Sequence, residues 1–202
     1  MTEHEADDTT VYEFIDASTR RLAHLAGIAQ DLTTTIINCR LLKARLDDAE
    51  LDDDIKRSLW LVALIHYGRA FETAAAMGIS NDDLMQGLNG DPLGAHRQYL
   101  AILERLSKPQ EDPFQRVRVG LTMSLEEGRP AGIKGTGVFF METTPANHEI
   151  IDQLEMLSGA VHDQVLDLGK EAEATVLEAA DKIPLGDVLN MPQFNPMATH
   201  SH

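Results

Sequence analysis

Five residues in two groups have types and spacing suited to chemistry. His66, Tyr67 and Arg69 follow the apolar run that begins at Ser58-Leu-Trp, and His96-Arg97 lie in the next long helical segment. Imidazole is the side chain that changes charge nearest neutral pH, and guanidinium presents a fork of donors that matches phosphate oxygens. Two imidazoles, two guanidiniums and a phenol in a desolvated cleft could bind a phosphate or nucleotide, or carry a proton in general acid–base work. His66, Arg69 and Glu72 stand three apart, which aligns them on one flank of a helix, with Tyr67 about 100° round from His66. The plainer alternative is a satisfied structural network, with Arg69 paired to Glu72 or Glu104 and Tyr67 hydrogen-bonded to backbone. Buried polar groups need partners, and the helix carrying His96 and Arg97 is the expected source.

Other chemistries have weaker footing. Glu-x-x-His, the helical signature of carboxylate-bridged metal pairs, does not occur in the chain. His148 and Asp152 are four apart with Glu149 and Glu155 near, but acids at a helix start account for them. His162-Asp163 has no partner at ligand spacing, and His200-Ser-His202 reads as a solvated end. There is no Gly-x-Gly-x-x-Gly, Walker loop, Gly-x-Ser-x-Gly or paired-cysteine motif. The sequence therefore assigns no catalytic residue, no metal and no cofactor, and its ligand-binding candidates are His66, Tyr67, Arg69, His96 and Arg97.

These residues depend on the elements that carry them. Residues 1–9 are acidic and read as a disordered N-terminus. From Val11 to Leu46 apolar or small residues recur at a near-heptad spacing, predicting one long amphipathic helix or two in line, with Gly27 and Thr33-Thr-Thr35 as weak points. The acidic link 47–54 caps a central helix from Ile55 to Met77. That helix is apolar on every side around Trp60, so it should be sheathed by other helices. Ser80-Asn-Asp-Asp83 caps a short turn of helix, and Pro92 opens a helix reaching about Ser107. Val117, Val119, Leu121 and Met123 then alternate with polar or small residues, a half-buried strand. Glu126–Gly132 reads as a turn and 137–141 as the return strand. A two-stranded ribbon is marginal alone, so it is expected to lie against the bundle or pair with another chain. A last helix spans about Ala146 to Asp181, with Gly159 and Gly169 as possible bends. The tail 183–202 is irregular but retains Leu185, Val188, Leu189, Met191 and Phe194, enough to dock in a groove. The predicted fold is thus mainly α: one helical-bundle domain over residues 10–182 with a β-hairpin insertion around 115–142.

Composition bounds the partners. The 202 residues carry a net charge of −16 with 5% aromatics. Acids dominate both flanks, at −8 over residues 1–54 and −9 over 142–202, while 55–141 balances at +1. Nucleic-acid affinity rests on cations neutralising phosphates, so a nucleic-acid partner is disfavoured. An anionic ligand should meet the middle third. The apolar run at Trp60 is far short of the roughly 20 residues of a membrane span, and the N-terminal residues do not resemble a secretory signal. The single cysteine, Cys39, excludes an internal disulfide and suits a reducing cytoplasm as a buried small hydrophobe.

Trp60-x-x-Ala63-x-x-x-Tyr67-x-Arg69-x-Phe71, followed by His96-Arg97 and by Asp112-Pro-Phe114 before a strand, is similar to prokaryotic members of the HEPN-like superfamily, over roughly residues 55–165. The resemblance implies a helical bundle, a homodimer, and a setting among toxin–antitoxin and antiphage systems, where many members are ribonucleases. Active members carry an Arg, a polar residue and then a His, with four to six residues between Arg and His. This chain has no such pair: Leu103 and Pro109 stand where the Arg and His are sought. The resemblance therefore implies a non-nucleolytic relative acting by binding, with the ribbon or the tail as the surface for a protein partner. Two rivals follow from the residues: a ribonuclease or nucleotide-acting enzyme using His66, His96 and Arg97, and an assembly subunit of phage type whose acidic ends and tail serve packing.

Overall fold

The structure is a computed structural model and describes residues 10–48, 53–106, 108, 115–126, 128–142 and 147–193. The expected disordered segment 1–9, the Asp112-Pro-Phe114 motif, Pro109, Phe194 and the terminal histidines lie outside the described residues. The chain is mainly helical. α1 (Ala17–Lys43), α2 (Asp53–Ala76), α3 (Asn81–Met85) and α4 (Pro92–Leu106) precede a hairpin of β1 (Gln115–Glu126) and β2 (Arg129–Glu142), and α5 (His148–Ala180) and α6 (Leu185–Val188) follow. Among the described residues no helix is long and apolar enough to cross a membrane.

The first helix starts six residues later than the Val11 expected from its heptad series. Asp16 sets the start: its carboxylate accepts from the Ser18 amide at 2.8 Å, while its own amide donates to Thr19 Oγ1 at 3.0 Å, a reciprocal cap that fixes the entry. Upstream the chain is extended. Tyr12 bridges Gln193 and the Glu13 amide donates to Pro192 O at 2.7 Å, so the segment before α1 is tied to the segment after α6. In the described part of the tail Leu185 and Leu189 are exposed and Val188 and Met191 are partly buried, and backbone pairing ties it to the segment before α1.

α1 is the packing centre. It runs antiparallel to α5, pinned by Arg40–Glu155 and Lys43–Asp152 ion pairs, both 2.7 Å, and by Thr33 Oγ1 3.3 Å from His162 Nε2. It also runs beside α2, where Thr35 Oγ1 donates to Ala63 O at 3.2 Å. Gly27, Gly159 and Gly169 all sit inside continuous helices. Cys39 is fully buried, and burial, helped by Glu155, pushes its thiol up to about 12. α4 crosses α2 at Gly68, where a Cβ would run into the Leu103 side chain, and Trp60 meets Tyr99 edge-on at 6.4 Å between ring centroids.

One expectation about α2 is overturned. The helix is not sheathed all round: Trp60, Leu64 and Tyr67 are fully buried, but Val62 is 37% and Ile65 46% exposed. Its partners α1 and α4 cover one side, and no described element covers the other. The apolar run thus contains a core face and a second, outward apolar stripe.

The hairpin is longer than the alternation suggested, and its pairing runs from Gln115↔Glu142 to Glu126↔Arg129. Gly128 takes φ +77° in the turn, a conformation that suits glycine. Irregularities after Thr122 and after Ser124 absorb the unequal strand lengths and add local twist. The ribbon does not settle on the bundle: among the described residues no helix packs against it to any extent. On one face Val119, Leu121, Met123 and Leu125 sit opposite Val138, Thr136, Ile133 and Pro130. The six aliphatic side chains described there, from Val119 to Leu125 with Ile133 and Val138 and including Met123, are 48–70% exposed. On the other face Gly120 pairs with Gly137, and the Phe139 ring lies across both, about 3 Å from where each Cβ would be, at 2.9 and 3.1 Å. An aromatic ring over paired glycines shields backbone that has no side chains of its own.

Candidate functional site

The five candidates do not converge. They divide into a buried pair, a pair that shares Asp31 nearer the surface, and an outlier.

The buried pair is Tyr67 and His96. The Tyr67 hydroxyl is 3.0 Å from His96 Nδ1, and the Asn81 amide is 3.0 Å from His96 Nε2. Phe71 stacks on the imidazole with ring centroids 4.2 Å apart. α2 presents Tyr67 and Phe71 four residues apart on its core face, α4 brings His96, and the capped start of α3 brings Asn81. That start is itself fixed by the reciprocal Ser80–Asp83 cap. Both ring nitrogens are occupied and the residue is 1% exposed, so no substrate atom has a place at this imidazole. Burial holds His96 below the ordinary histidine range and pushes the Tyr67 phenol up, with Tyr99 adding to the latter. A neutral imidazole with one donating and one accepting nitrogen is satisfied in this setting. Tyr99 completes the layer, donating its hydroxyl to Ile150 O at 3.0 Å and to Gln153 Oε1 at 3.1 Å. The partner expected for Tyr67 is thus on His96, not on backbone.

The second pair is half-buried His66 and exposed Arg69, on the flank of α2 that faces α1. Both turn to Asp31, a residue the sequence reading missed. His66 Nδ1 lies 2.6 Å from Asp31 Oδ1, and Arg69 Nε lies 3.6 Å from Asp31 Oδ2. Arg69 therefore pairs with neither Glu72 nor Glu104 across the described contacts, because α1 passes closer than either. The carboxylate accepts, so His66 donates from Nδ1. A neutral ring then has Nε2 as its bare nitrogen, on a side chain 26% exposed. A signal for Asp31 did exist: it is the one acid between Asp16 and Asp47, set among Ile28, Leu32 and Thr35 on the buried face.

The outlier is Arg97. It is exposed, and its Nε donates to Leu93 O one turn back on its own helix, at 3.2 Å, so it joins neither group. None of the described cavities is lined by a candidate either. The largest described groove, about 570 Å³, is lined by Arg21, Ile79, Asp83, Gln86, Gln164 and Asp167 among others, and includes none of them. Of the other described histidines, His162 lies 3.3 Å from Thr33 Oγ1 and His148 pairs with an acid. His148 Nε2 is 3.0 Å from Asp47 Oδ2, and Asp152 belongs to Lys43. Among the described residues no group of three or more His, Cys, Asp or Glu is placed to hold a metal ion.

Chemically, the Tyr67–His96–Asn81 network can order the α2–α3–α4 junction. The Asp31–His66 pair combines a carboxylate-oriented imidazole with solvent access, as does the more exposed Asp47–His148 pair. Compared with protein-family models, with characterised proteins and with solved structures, this chain matches none.

Proposed function

We propose that this chain is a non-catalytic helical-bundle protein of HEPN-like type that acts by binding another protein through its β-hairpin, in the toxin–antitoxin or antiphage setting which that resemblance implies. The observation that carries the reading is the hairpin's apolar face: six aliphatic side chains stand about half or more exposed, on an arm against which no described helix packs closely. Contiguous exposed apolar surface of this kind marks interaction sites, and an isolated two-stranded ribbon gains its stability from what it lies against. The anionic-ligand version has less behind it. Asp31 sits between His66 and Arg69 and offsets their charge, and Arg97 lies apart from both.

The test compares the full chain with Leu121→Asp as immobilised bait. A partner retained by the full chain, lost with Leu121→Asp and kept with the exposed control Glu173→Lys supports the reading. Identical retention by all three sinks it.

A second reading, a ribonuclease or nucleotide-acting enzyme, draws on one observation: Asp31 accepts from His66 Nδ1 and so turns Nε2 of a neutral ring away from the carboxylate, on a side chain 26% exposed. A general base of that design would lose RNA cleavage on His66→Ala and retain it on His96→Asn. RNA left intact by the wild-type chain from pH 5 to 9, with and without divalent cations, removes this option.

A further inference from the structure

We infer that Asn89 is a site of covalent self-modification: its side-chain amide cyclises onto the Gly90 nitrogen and water then opens the ring to aspartyl and isoaspartyl products. This is independent of the reading of the hairpin as a binding element. The chain has six asparagines, and two requirements separate Asn89 from the other five. The side-chain carbonyl must be open to attack. The next backbone nitrogen must carry a hydrogen and be able to swing onto that carbonyl, a movement that a following Cβ hinders and glycine permits.

Asn89 meets both. It is exposed, its successor is Gly90, and among the described residues no hydrogen bond engages the Asn89 side chain or the Gly90 N–H. The other asparagines fail. Asn38 donates to Thr34 O at 2.8 Å, and Asn190 to Gly186 O at 2.9 Å. Asn81 is held 3.0 Å from His96 Nε2, and Asn147 accepts from the Ile150 amide at 2.9 Å as the cap of α5. Their successors, Cys39, Met191, Asp82 and His148, all carry a Cβ. Asn195 precedes Pro196, whose nitrogen has no hydrogen to lose.

The link between α3 and α4 is fixed at both ends and unheld between them. On one side the Leu88 amide donates to Met85 O at 3.2 Å and Gln164 Nε2 to Gln86 O at 2.9 Å. On the other, Asp91 accepts from the Gly94 amide at 2.8 Å and from the Ala95 amide at 3.1 Å. Backbone without hydrogen bonds reorients at little cost, and Gly90, at φ +84°, is in the region where glycine alone moves freely.

The Gly90 nitrogen gives its proton to solvent and bonds to Cγ of Asn89. The Cγ–Nδ2 bond breaks, and Nδ2 takes up a proton and leaves as ammonia. Water then adds to either carbonyl of the cyclic imide and returns a hydrogen to the Gly90 nitrogen, with no oxidation or reduction. Opening at Cγ gives aspartate. Opening at the former main-chain carbonyl gives isoaspartate, whose main chain runs through Cβ and Cγ and is one atom longer. Either product adds one negative charge to a chain at −16. The longer link joins two ends that are already fixed, so it loosens the joint at which Asn81 of α3 meets His96 of α4.

Peptide mapping of the full chain after several days in warm, mildly alkaline, ammonia-free buffer tests this. The tryptic peptide 70–97 holds both Asn81 and Asn89, so one fragment carries its own control. The expected result is an amide-to-acid mass gain at Asn89, divided between two products of equal mass, at least about tenfold faster than at Asn81, with Gly90→Ala about tenfold slower. Asn89 converting no faster than Asn81, or staying an amide in native buffer while converting in urea, overturns the site. Aspartate without isoaspartate overturns cyclisation, and this readout decides the route even if circular dichroism shows that Gly90→Ala misfolds. The isolated isoaspartyl form should unfold at a lower temperature than Asn89→Asp, which has the charge without the extra atom. Equal midpoints overturn the effect on the α3–α4 joint.

Discussion

The two histidines singled out by the sequence have opposite fates because burial and partners differ over a few ångströms. His96 is locked between Tyr67 and Asn81 in the core, and burial keeps it neutral. Its value is depressed in the folded state, so protons favour the unfolded chain at pH values between that depressed value and the ordinary one near 6.5. Stability from this group is fully present above about pH 6.5 and declines as the pH falls below it. Urea denaturation at pH 7.5 and 5.5 should show the decline, and His96→Gln should reduce it. Tyr67→Phe leaves a buried imidazole nitrogen without its partner and should cost about 1–3 kcal/mol in the same assay. His66 is different in kind, since Asp31 orients it and solvent reaches it.

Elements with similar composition also diverge in what they hold up. α1 packs on both α2 and α5, so Leu32→Ala, at a fully buried site, should cost about 2–5 kcal/mol. Ile65→Ala, on the outward stripe of α2, should stay within about 0.5 kcal/mol. The arm should be nearly independent of the bundle. Replacing residues 116–141 by a short Gly/Ser link is expected to leave the thermal midpoint of the helices unchanged. A fall of many degrees would mean that the ribbon supports the core. Helix starts were legible where a cap stood next to an apolar period, as at Ser80 and Pro92. The α1 start was misplaced because Val11 and Ile15 continue the heptad series, while the decisive Asp16–Thr19 cap is a local hydrogen-bond pattern that periodicity does not register.

At the scale of the whole molecule, a helical body with its own core carries an exposed apolar arm that no described helix packs against closely. Cys39 reports on the body alone: buried, with its thiol pushed up to about 12, it should resist thiol reagents at pH 8 in native buffer and react fully in urea. Labelling of the native chain at the rate of the unfolded one would show that the α1–α5 seam opens. The helices, the hairpin and most of their limits were readable from the sequence, because hydrophobic period and turn residues are local properties. The burial of Tyr67 and Cys39 followed from the same periods. What the chain order could not show is which faces meet. Asp31 and His66 are 35 positions apart and touch only because α1 and α2 pair in one register. Arg97, one position from His96, points away because successive helical residues differ by about 100°. The uncovered stripe on α2 and the unsupported arm are likewise decided in three dimensions: sequence hydrophobicity states that a surface is apolar, and only packing determines whether this chain itself covers it.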